Sequence, residues 1–200
     1  MRLKKSYSGV FDIARRYWRE YGGWAELLLS PYFHAALLLT LLLSHYWQNE
    51  AWWDVALSVL PNIIGFAVGG YAIWMGFGDE EFRRRISQRP SADEPSPYLM
   101  VSAAFAHFVV VQLLALIGAL IAKATFFELT SAHWAGHLLL GAGLPLNFVR
   151  TQLAPWFWGV GFLIFVYGLM TAFAATFAIF RVSDWFVRLS NSQKSKESTG

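Results

Sequence analysis

The chain is 200 residues long and 56% apolar. Only 14% of it is charged, where a soluble domain carries roughly 25%, so an ordinary water-soluble fold is excluded. It has 10 Trp, 8 Tyr and 17 Phe, more aromatic surface than one water-facing core of this length hides, and no Cys, which rules out disulfide, thiolate-zinc and thiol-nucleophile chemistry.

The first 26 residues read as a cytoplasmic amphipathic segment. Val10, Phe11, Ala14, Tyr17, Trp18 and Tyr21 recur at helical spacing, with Arg15, Arg16 and Arg19 largely on the other side. This predicts a helix lying in the membrane interface, with Gly22-Gly23 as a hinge; a plain cytoplasmic extension of the next helix is the alternative. No apolar run follows the basic N-terminus until Leu27, so a cleavable signal peptide is not expected.

Residues 27–189 read as a transmembrane domain. Four runs are free of Asp, Glu, Lys and Arg: about 27–47, 55–78, 98–122 and 156–180. Each is long enough to cross a bilayer core, which takes ~20 residues of helix. The expected fold is therefore all-α and polytopic, with four spans, because an open chain in lipid must satisfy its backbone groups internally. Residues 190–200 are polar and of low complexity and are expected to be disordered.

The first run is rich in Leu and is expected to face lipid most fully. In the second, Ser58, Asn62, Gly65, Gly69, Ala72 and Gly76 alternate by three and four, which puts all six on one stripe. Such a groove of small residues serves close helix packing in lipid. A matching stripe runs along the fourth span through Gly161, Gly168, Ala172 and Ala175. Pro61 removes a helical donor, so the second span is expected either to kink there or to begin there, with Asn62 helping to satisfy freed groups.

Asp79/Arg83, Glu80/Arg84 and Glu81/Arg85 are i,i+4 pairs that would carry the second helix onward. Arg83, Arg84 and Arg85 would anchor it at the headgroups, with an anionic-lipid site as a secondary reading. Of the 16 Lys and Arg, all but Lys123 and Arg150 precede the first run, follow the fourth, or lie between the second and third. The positive-inside bias then places both termini in the cytoplasm. The same sidedness argues against a nucleic-acid partner. Trp47, Trp52, Trp53, Trp134, Trp156, Trp158 and Trp185 sit near span boundaries, where an aromatic belt is expected.

Polar residues inside the spans are few: Asn62, His107, Gln112 and Tyr167. His107 lies on the small face of the third span and should point inward. A gating, sensing or proton role competes with ordinary interhelical hydrogen bonding. His133 and His137 form H-x-x-x-H, a weak metal candidate without a third ligand. The run Leu138–Pro145 could instead form an interfacial or re-entrant segment. No phosphate-binding loop, dinucleotide fingerprint or catalytic triad occurs, so neither an enzyme nor a cofactor is expected.

"LPNIIGFAVGGYAI" and "AIFRVSDWF" resemble small four-helix proteins of the bacterial inner membrane. The resemblance implies a bacterial plasma membrane and brings no activity. The leading expectation is a non-catalytic membrane component. It would assemble through its helices with itself or with a membrane or cytoplasmic partner, and its basic surfaces would meet anionic lipid headgroups. A homo-oligomeric channel or small transporter, lined by Ser58, Asn62, His107, Gln112, Tyr167 and Thr171, is the second. A membrane enzyme is the third.

Overall fold

A computed structural model describes residues 2–89, 91, 96–126 and 130–197. Among the described residues the protein is 86% helix and contains no strand. Pro90, Pro95 and Glu128 lie outside the described residues.

The first helix, α1, covers Arg2–Tyr21. Gly22 and Gly23 follow with φ of 105° and 66°, a left-handed pair that only glycine adopts cheaply and that forms the turn into α2, Gly23–Leu29. The apolar run over 27–47 does not form one continuous helix. Ser30 is extended, with ψ of 124°, because Pro31 crowds the residue before it out of the helical region. The chain bends by 55° and resumes as α3, Pro31–Leu42, then α4, Ser44–Asn49.

Helix α5, Trp52–Gly76, is continuous through Pro61 and starts well before it, so a start at Pro61 is ruled out. Asn62 Nδ2 donates to the Ser58 carbonyl at 3.1 Å, one residue beyond the Leu57 carbonyl that Pro61 leaves without its helical donor. The acidic and basic residues beyond Gly78 do not prolong α5 as expected. Gly78 takes φ of 80°, and a new helix, α6 (Glu80–Ser87), begins with Asp79 as its cap. The Asp79 carboxylate accepts from Phe82 N–H at 2.7 Å, which engages the group expected to pair with Arg83. Of the three expected pairs, Glu81–Arg85 is present as an ion pair.

Helix α7 covers Pro97–Ala124 and α8 covers Trp134–Gly141. A π-helical turn, Val149–Leu153, leads into α9, Ala154–Glu197. The polar segment expected to be disordered thus has helical backbone through Glu197. Propagating an existing helix avoids the cost of nucleating one. Three helices are long and apolar enough to cross a membrane, or four if the bent α2–α3 pair counts as one span.

Contacts divide the chain into two units, Met1–His34 with Gly65–Val110 and Met170–Gly200, and Ala35–Ile64 with Val111–Leu169. In the first, the core is aromatic. Trp74 stacks on Tyr98 and donates from Nε1 to Ser102 Oγ at 3.3 Å. Phe82 and Ile86 bury the inner face of α6, and Phe82 meets Phe77 and Phe186 edge to face. Arg89 reaches Glu20 of α1 at 3.8 Å.

In the second unit, Trp52 is fully buried between Phe162 and Phe165. Trp53, Phe126 and Trp158 form a neighbouring cluster. The aromatic belt read from the sequence is therefore mixed. Trp52, Trp53 and Trp158 are core residues, whereas Trp134 and Trp156 remain 70% and 78% exposed.

Candidate functional site

Three places gather the residues singled out by sequence. The first is α5. Its stripe does not pack inside the chain: Ser58, Asn62, Gly65, Gly69, Ala72 and Gly76 are all exposed. A Cβ added at Gly65, Gly69 or Gly76 would have no atom within 4 Å. The helix turns inward instead through Ala56, Leu60, Ala67 and Trp74. Gly70, beside the stripe, is the α5 glycine where an added Cβ would meet a neighbour, Phe105 at 3.8 Å. Only 17% of the most apolar window of α5 is buried, against 39% for α7 and for the span ending in α9.

The stripe on α9 behaves differently. A Cβ on Gly168 would stand 3.5 Å from Gln112, and Ala175 is buried with Thr171; Ala172 is half-buried. A Cβ on Gly161 would stand 3.0 Å from the Trp52 ring, and one on Gly159 would stand 3.0 Å from Trp47. The small residues of α9 thus receive large side chains and do not pair with a second row of glycines.

The second place surrounds His107, which is 4% exposed. Sequence reading put it inward but did not find its partner, the end of α1. The Tyr17 hydroxyl lies 2.7 Å from His107 Nδ1. The Tyr21 ring stacks on the imidazole with centroids 3.8 Å apart and planes 12° apart. Tyr17, Trp18 and Tyr21 were legible as the apolar face of α1, but nothing in their spacing named α7 as the surface they cover. Burial, with the charge of Tyr21 second, pushes the Tyr17 phenol up to about 12.

Gln112 is fully buried, and its Nε2 donates to the Gly168 carbonyl at 3.5 Å. Among the described residues, its Oε1 and the Trp52 Nε1 find no hydrogen-bond partner. Tyr167 and Thr171 are also buried, at 5% exposure each. Arg83 and Arg84 are exposed and Arg85 is half-buried.

No protein-family model, no curated protein and no solved structure matches this chain.

The third place was not legible. Within the second unit, the end of α7, the start of α8, the π turn and the start of α9 line a half-open cavity of about 860 Å³. Its wall includes Phe126 and Trp158, and the Arg150 guanidinium lies 5.0 Å from the centre of the Phe126 ring. His133 borders it and serves as the N-cap of α8, its Nδ1 accepting from Ala135 N–H at 3.2 Å. His137 is exposed one turn on. Among the described residues, no group of three or more His, Cys, Asp or Glu is placed to hold a metal. The weak signal for the cavity was the run of Gly and Pro before Arg150, which breaks α8 early and leaves the loop to fold over the helix ends.

Proposed function

We propose that this chain is a non-catalytic component of a membrane, expected to be a bacterial plasma membrane, that assembles through the small-residue face of α5. The observation that carries the reading is the open space beside Gly65, Gly69 and Gly76 on the least buried of the three long spans. A groove without side chains lets a second helix approach until backbones touch, and dispersion contacts and weak Cα–H···O contacts hold it. The partner is a second copy or another membrane or cytoplasmic protein. Both termini face the cytoplasm in this reading, with Arg83 and Arg84 among anionic headgroups and the exposed Val10 and Phe11 of α1 in the interface.

The placement of polar groups supports assembly over conduction. Ser58 and Asn62 face outward, whereas His107, Gln112, Tyr167 and Thr171 are buried. A water-filled pore needs its wettable groups on one continuous wall.

Purification in mild detergent with mass measured by light scattering tests the proposal. A defined oligomer or a stoichiometric complex is expected, and Gly65→Leu or Gly69→Leu should reduce it to the single chain. Unchanged mass in both variants overturns the reading.

A further inference from the structure

The cavity in the second unit has two chemically distinct ends. Thr125, His133, Asn147 and Arg150 border the loop end. Ile121, Phe157, Val160 and Ile164 continue it along α7 and α9. Arg150 is the one permanently charged side chain among the described residues that line it.

The dimensions narrow the occupant. From Ala154 to Ile164 the lining follows α9 for ~15 Å at 1.5 Å per residue. That is half of a hydrocarbon core of ~30 Å, the depth of one leaflet. A flexible acyl chain fits an apolar groove of that depth, and guanidinium is the preferred partner for a phosphate.

We infer that this cavity binds a membrane lipid with an anionic phosphate headgroup, its acyl chain between α7 and α9 and its phosphate at Arg150. Its deep end offers a natural plug. A Cβ at Gly118 meets nothing within 4 Å, so a larger side chain there extends into the cavity without disturbing the fold. Lipid capture depends on the bilayer placement proposed above but not on assembly through α5.

The experiment uses the full chain in nanodiscs holding phosphatidylglycerol that carries a diazirine in its acyl chain, followed by peptide mapping. Labelling should concentrate on residues 118–126 and 154–164. Phosphatidylglycerol should compete about tenfold better than diacylglycerol, which lacks the phosphate, as one charge-assisted contact predicts. Arg150→Gln should remove that preference, and Gly118→Phe should remove the labelling itself. Gly141→Phe, outside the cavity, and Gly65→Leu, which breaks assembly, should leave labelling intact; losing it in the latter would tie capture to the oligomer and overturn an independent site. Labelling spread evenly over the exposed faces of α5, α7 and α9, or indifferent to Gly118→Phe, overturns the proposal. Equal competition by the two lipids overturns the role of Arg150.

Discussion

Gly161 and Gly65 are both helical glycines in apolar spans, yet alanine at the two should act in opposite directions. At Gly161 the new Cβ would stand 3.0 Å from Cη2 and 3.1 Å from Cζ2 of Trp52. Ordinary carbon contacts are ~3.5–4.0 Å, so the methyl intrudes by about half an ångström on two ring atoms. The ring cannot yield, because Trp52 is fully buried against Phe162, Phe165 and Trp53. Overpacking of this kind costs ~1–3 kcal/mol. Alanine also favours the helix over glycine by up to ~1 kcal/mol. At Gly65 only that second effect operates, since nothing lies within 4 Å. The helix preference cancels in the difference between the two variants, leaving the overpacking alone. At ~2–4 °C per kcal/mol for a chain of this size, Gly161→Ala should melt some 2–12 °C below Gly65→Ala. Thermal scans on dilute, singly dispersed protein in detergent read this directly. Equal melting temperatures, or Gly161→Ala the higher, would refute both the packing of α9 on Trp52 and the openness of α5.

Other outcomes follow from single contacts. Tyr17 ionises near 12 in the folded chain, above its ordinary value of 10.0, so the stability contributed by its neutral ring is complete below pH 10 and lost as pH climbs through about 12. Ultraviolet titration should show a late phenolate step that vanishes in Tyr17→Phe; an unchanged curve would place Tyr17 in water. Gly78→Ala forces a side chain into φ of 80° and drives its Cβ into Phe82, costing ~1–2 kcal/mol and loosening α6, seen as faster amide exchange over 80–87. The Lys123–Asp54 pair, at 2.8 Å, leaves both side chains more than half exposed. Asp54→Asn should therefore cost no more than ~1 kcal/mol by denaturant titration, and a larger loss would show that the pair is shielded from solvent.

The three long helices were legible because lipid admits a simple code. Uncharged runs over 98–122 and 156–180 fall within helices that begin at Pro97 and Ala154, and the run over 55–78 outlasts the helix Trp52–Gly76 by two residues. The bend at Ser30–Pro31 was equally written in the chain, but hydropathy is blind to it: Pro31 is as apolar as its neighbours while it expels Ser30 from the helix. Periodicity found the stripe on α5 and could not say which way it faces. A glycine serves as well beneath a tryptophan, as Gly161 does, as beside another glycine. Trp52 and Trp53 show the same ambiguity, since a boundary tryptophan can anchor at the interface or fill a core. The cavity lay beyond reach because it is made by the return of the α8 loop over α7 and α9. No local pattern encodes where a loop comes back.

The bend in the first span also sets a length. Helix α3 has 12 residues and α4 has 6, so they rise ~18 Å and ~9 Å. The 25 residues of α5 and 28 of α7 rise ~38 Å and ~42 Å. The bent pair of α2 and α3, with 7 and 12 residues, rises ~29 Å along its path, and the 55° bend brings its ends closer together than that, so its reach is well short of either straight rod.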